Sequence, residues 1–94
     1  MKQYPIINSD DLKEYLKKYN RKLIKINDGA KQLRNCQAWE INVEILNNST
    51  GELKTYKALQ SYYTIVALWN GVLHTWRKYS PTTSRQITWW SRAL

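Results

Sequence analysis

The sequence predicts an α+β domain: an antiparallel meander sheet of four to five strands, with an N-terminal and a C-terminal helix packed on it. Three observations predict it. Residues 9–20 carry apolar side chains at helical spacing. The middle of the chain is a series of alternating or β-branched runs separated by short turn-forming segments. The closing residues pass through a Ser-Pro-Thr-Thr-Ser helix start into a second amphipathic stretch. Consecutive strands joined by short turns make a meander, and an economical arrangement covers one face of it with both terminal helices.

The first helix opens at Asn8 or Ser9, with Asp10 and Asp11 at the positive end of its dipole. Leu12, Tyr15, Leu16 and Tyr19 follow i, i+3, i+4, i+7 and should face the core, with Asn20 as the stop. Lys13, Lys17, Lys18 and Arg21 cluster toward the negative end, where cations are structurally favoured. Lys22–Asn27 reads as a short strand, and Asp28-Gly29 as a turn. Ala30–Cys36 is compatible with a helical turn or a loop, and Lys31 and Arg34 add positive charge there.

Gln37–Leu46 is the cleanest strand. Trp39, Ile41, Val43 and Ile45 share one face, and Glu40, Asn42 and Glu44 share the other. Asn47–Glu52 is a loop, and Leu53–Leu59 is the antiparallel partner, with Lys54 and Lys57 expected opposite Glu40 or Glu44. Tyr62–Trp69 and Val72–Tyr79 then form a hairpin about Asn70-Gly71, a pair suited to a type I′ turn. Tyr62–Trp69 is apolar on both faces, as expected of a strand inside its sheet. The last helix starts at Ser80-Pro81, or later with Thr82 or Thr83 as cap. Ile87, Trp90 and Leu94 should face the core, while Arg85, Trp89 and Arg92 fall on another side.

Length and composition bound the function. Ninety-four residues make one domain that can bury a core without disulfide or metal. Hydrophobic content of 43% argues against disorder. A single cysteine, Cys36, makes no internal disulfide, and a reducing cytoplasm is expected. The N-terminal Met-Lys-Gln-Tyr-Pro lacks a signal-peptide hydrophobic region, and no apolar run approaches the ~18 residues of a membrane span, so no membrane association is expected. The formal charge is +8, unevenly placed. Met1–Glu52 holds nine Lys/Arg against seven Asp/Glu, whereas Leu53–Leu94 holds six Lys/Arg and no acid. An acid-free half with four of the five tryptophans suits a phosphate backbone or an acidic protein groove.

Catalytic chemistry is not expected. His74 is the one histidine, so neither a His pair nor a Cys-rich zinc cluster can form, and no metal or cofactor is expected. A Cys36–His74 dyad has no spacing to support it and no orienting group. Glu40 and Glu44 share a strand face, which a wet surface explains. Gly29, Gly51 and Gly71 make no phosphate loop. Free amides at the Ser80–Ser84 helix start can meet a phosphate, though capping accounts for the same residues.

Ser61, Tyr62, Thr64, Val66 and Ala67, followed by Tyr79, Ser80, Thr82, Thr83, Ser84 and Arg85, form the pattern S-Y-x-T-x-V-A … Y-S-x-T-T-S-R. In this last third the chain resembles a group of small proteins of unknown function from phages and mobile elements of Gram-positive bacteria. Members often carry a histidine two positions after the arginine. Gln86 and Ile87 stand there instead, which puts a His-dependent activity in doubt. The resemblance implies a phage-type origin and carries no reaction with it.

Three functions follow as expectations. The first is a non-enzymatic counter-defence binder of anti-CRISPR type, whose partner is a host defence effector protein or ribonucleoprotein in the host cytoplasm. Its candidate binding residues are Arg77, Lys78, Ser84, Arg85, Trp89 and Arg92. The second is direct, sequence-tolerant DNA or RNA binding, with Tyr62, Trp69, Trp76 or Trp89 stacking on bases. The third is a homodimeric accessory that associates through a strand edge or Trp89.

Overall fold

A computed structural model of the chain describes residues 8–27, 29–33 and 36–94. It is an α+β domain with the predicted helix at each end of an antiparallel sheet. The elements run α1 (Asp10–Lys18), β1 (Arg21–Ile26), β2 (Lys31–Gln32), β3 (Ala38–Asn47), β4 (Leu53–Ser61), β5 (Thr64–Trp69), β6 (Leu73–His74) and α2 (Pro81–Arg92). The six strands lie in the order β1-β3-β4-β5-β6, and β2 also pairs with β3. β1 pairs with the second half of β3 and β2 with the first half, so the two form one interrupted edge. β2 is thus a strand within the segment whose sequence was ambiguous. Asp28 of the expected turn and Arg34 lie outside the described residues.

The two helices pack on opposite faces of the sheet, not together on one. Leu12 and Leu16 of α1 join Val43, Ile45, Tyr56, Ala58, Ile65 and Leu68. Ile87 and Trp90 of α2 join Ala38, Leu59, Val66 and Ala67. Strand side chains alternate, so Ala38 and Val43, or Ala58 and Leu59, must point to opposite sides. Both faces of the sheet therefore carry apolar residues, and each needs its own cover. One helix stripe is too narrow for both.

β3 behaves as its alternation requires: Trp39, Ile41, Val43 and Ile45 are buried, and Asn42 is exposed. The lysines of β4 do not meet its glutamates. Glu44 lies opposite Thr55, Glu40 opposite Leu59, and Lys57 opposite Asn42. Lys54 instead pairs with Glu52 at 3.3 Å, at the sheet end.

The strand expected from Tyr62 begins only at Thr64. Ser61 pairs with Thr64, so Tyr62 and Tyr63 are a two-residue reversal, with Tyr62 at φ +55°. Nothing in these two side chains signals a turn. Hydrogen bonds from elsewhere enforce it: Tyr62 N–H donates to the Gln37 carbonyl (2.7 Å), and the Gln60 amide donates to the Tyr62 carbonyl (2.8 Å). Asn8 bridges to the same corner, accepting from Ile65 N–H (3.0 Å). Val66 is an extra residue opposite the Leu59–Gln60 step, which puts Ile65 and Leu68 on the α1 side and Val66 and Ala67 on the α2 side. β5 is interior to the sheet, between β4 and β6.

The next hairpin also departs from expectation. Trp69 pairs with Leu73, so the loop is Asn70-Gly71-Val72 and β6 is two residues long. Only Gly71 has positive φ there (+99°), whereas a type I′ turn needs it at both central residues. At the helix ends, Tyr19 and Leu94 are exposed rather than in the core. Tyr19 follows the last turn of α1, and Leu94 lies beyond α2.

Candidate functional site

α2 begins at the earlier of the two expected starts. The Ser80 hydroxyl accepts from Thr83 N–H at 3.3 Å, and Pro81 takes the first helical position, where no amide hydrogen is needed. The helix then buries Thr83, Gln86, Ile87 and Trp90, spaced i, i+3, i+4, i+7. At 3.6 residues per turn, Arg85 and Arg92 lie about half a turn from that seam, with Trp89 beside them. Arg85 and Arg92 are exposed, and Trp89 is half-buried.

Two kinds of bond hold the helix in register. The Ser61 hydroxyl donates to Gln86 Oε1 at 2.6 Å and lies 3.1 Å from the Thr83 hydroxyl, all three buried. The Trp90 indole N–H donates to Glu40 Oε1 at 2.9 Å, so the carboxylate on the supposedly wet face of β3 anchors the helix. Sequence reasoning missed both links. The polar Gln86 at a seam position was the available signal.

Most of the C-terminal motif is thereby accounted for by the fold. Ser61 and Thr83 form the buried link, Ser80 caps, and Val66 and Ala67 fill the core. Tyr62 makes the reversal, and the Ser84 hydroxyl donates to the Tyr79 carbonyl at 3.4 Å. Tyr79 is half-buried, with its hydroxyl enclosed and unpartnered. Burial pushes that phenol up to about 12, helped by Asp11 and opposed by Arg77. Arg85 is a motif residue with no such role.

The candidate binding residues do not form one patch of equivalent cations. Arg77 is drawn to α1, where it pairs with Asp11 at 3.0 Å. Among the described residues, Lys78, Arg85 and Arg92 make no ion pair. Ser84 is tied into the helix start. The remaining cationic stripe is therefore Arg85 and Arg92 flanking Trp89, with exposed Lys78 just before the cap.

The proposed stacking residues are also spread out. Tyr62 is exposed at its reversal, and Trp69 is half-buried against the α2-side core. Trp76 is half-buried against Tyr15, ring centres 5.0 Å apart. The Cys36 thiol donates to the Leu33 carbonyl at 2.8 Å, and His74 bonds to Tyr15 and Asn70, so Cys36 and His74 have separate partners. Among the described residues no three His, Cys, Asp or Glu side chains converge, and no helix is long and apolar enough to cross a membrane.

No curated protein and no solved structure shows a significant match to the chain. A family profile described as a family of unknown function, DUF8033, matches residues 16–93, from within α1 to the end of α2. The chain belongs to that family.

Proposed function

We propose that the protein is a non-enzymatic binder of phage or mobile-element type. It blocks a host nucleic-acid-processing effector in the cytoplasm, in the manner of anti-CRISPR proteins, through the outer face of α2. One observation carries this reading: Arg85 and Arg92 are exposed on the outer side of α2 on either side of the half-buried Trp89, and no Asp or Glu side chain in the C-terminal half of the chain neutralises them. Exposed arginines beside an indole, with no ion pair among the described residues, suit an acidic protein surface or the guide RNA of a ribonucleoprotein. Arg77, already paired with Asp11, contributes less to this face than Arg85 or Arg92.

The test is a pull-down from host lysate, with and without nuclease, using the wild-type chain and the Arg85→Ala/Arg92→Ala double variant. A protein effector retained after nuclease and lost in the double variant supports the proposal. Equal retention by both chains removes the α2 face from consideration.

The acid-free half also favours a second reading, direct nucleic-acid binding. It predicts affinity for free DNA or RNA that falls steeply with salt, since each neutralised phosphate releases counterions. The homodimer reading is disfavoured at the β1 edge, where exposed Lys22 and Lys25 discourage strand-to-strand pairing.

A further inference from the structure

The face of the sheet opposite α2 carries a separate cavity. It lies between the second half of α1 and strands β1, β4, β5 and β6, and its volume is about 270 Å³. Tyr15, Tyr19 and Tyr56 line it with His74, Asn70 and Arg21, over a floor of Leu16 and Leu68. The walls are therefore mostly aromatic, the rim carries a cation, and no carboxylate is among the lining residues.

The wall is held in place before any ligand arrives. The Asn70 side-chain oxygen Oδ1 can only accept, so His74 Nε2–H donates to it at 2.9 Å. His74 Nδ1 then accepts from the Tyr15 hydroxyl at 3.2 Å. Tyr15 is braced on its other sides by Tyr19 (5.1 Å between ring centres) and Trp76 (5.0 Å). Arg21 is half-buried and, among the described residues, makes no ion pair. An arginine partly removed from water and left unpaired calls for an anion. Lys17 and Lys18 in the last turn of α1 offset the negative end of that helix, which would otherwise oppose one.

Two ligand chemistries use aromatic walls. A quaternary ammonium needs ring faces and gains from a nearby carboxylate, whereas here the nearest charge is a guanidinium. A nucleobase needs ring faces to stack on, and its phosphate needs a cation. We propose that this cavity is a mononucleotide site: the base stacks among Tyr15, Tyr19 and Tyr56, and Arg21 pairs with the phosphate. The volume lies just below the ~300–1,000 Å³ usual for small-molecule pockets, which suits one nucleotide rather than a strand.

The test is calorimetric titration of the full chain with adenosine monophosphate, adenosine, inorganic phosphate and tetramethylammonium. The expected order is the monophosphate tightest, adenosine weaker, and the other two without saturable binding. Arg21→Gln should weaken the monophosphate roughly tenfold and leave adenosine unchanged. Tyr19→Ala removes an exposed ring and so keeps the fold, and it should weaken both nucleotide and nucleoside roughly tenfold. Thermal melts of each variant check that the fold is kept. Silence of both adenosine compounds overturns the proposal. So does phosphate binding as tightly as the monophosphate, saturable binding of tetramethylammonium, or nucleotide affinity unchanged in the Tyr19→Ala/Arg21→Gln double variant.

Discussion

The two faces of the sheet are held by different physics. On the α1 side, Leu12 and Leu16 sit in a broad aliphatic cluster drawn from β3, β4 and β5. Burial there is non-directional, so many packings of similar volume would satisfy it. On the α2 side the cluster is smaller and built around Trp90, and the remaining positions are a buried hydroxyl–amide link and an indole–carboxylate bond. Hydrogen bonds demand particular distances and angles. The α1 face therefore supplies bulk stability, and the α2 face fixes where one helix sits. A helix placed by its inner bonds carries its charges on the outside, and on α2 those are Arg85 and Arg92.

The largest expected effect tests how far the α2 side depends on one residue. Trp90→Ala should cost ~4 kcal/mol in urea unfolding, since it removes the largest fully buried side chain among the described residues and frees the Glu40 carboxylate. Leu12→Ala should cost ~3 kcal/mol by the same measurement, because neighbouring aliphatic groups share the load. A reversed ranking would break the contrast between the faces.

Gln86→Leu probes the polar link itself. It should cost about 1–2 kcal/mol, because the Ser61 hydroxyl loses its acceptor within a buried site. Combining it with Ser61→Ala should recover part of that loss, and strict additivity would show that the two are not coupled.

Tyr79→Phe should act in the opposite direction. It removes an enclosed hydroxyl that has no partner, so stability should rise by about 1 kcal/mol at neutral pH. The phenol's pKa is higher folded than its ordinary value of 10.0, reaching about 12. Its contribution is therefore complete below pH 10 and is lost as pH rises through about 12. Alkaline unfolding of the wild type should steepen over that interval, and Tyr79→Phe should lose that component.

The smallest stability effect belongs to Arg85→Ala/Arg92→Ala. Both side chains are exposed and make no ion pair among the described residues, so unfolding should shift by less than ~0.5 kcal/mol. A larger loss would mean that the stripe serves the fold rather than a partner.

Local chemistry determined much of this molecule from the sequence alone. The span of α1, the alternating faces of β3, the Ser80–Pro81 start of α2 and the seam through Ile87 and Trp90 all depend on near neighbours. Side-chain periodicity and end-capping act within a few residues. The exposure of Arg85 and Arg92 followed from the same periodicity, whereas Trp89 on that side is half-buried. Other features were settled only when distant segments met. Tyr62 turns back because Gln37 and Gln60 hold its backbone, not because tyrosine favours that conformation. The extra residue at Val66 redistributes β5 between the two faces, which single-strand alternation cannot anticipate. Arg77 looked like Arg85 in the sequence until Asp11, far away in the chain, took it up. The helices lie on opposite faces because both faces of the sheet are apolar, and the Tyr15–Arg21–His74 cavity exists only where α1 meets residues from β1, β4, β5 and β6. Spacing along the chain determines which side chains share an element. Which elements share a space is decided by burial across the whole domain.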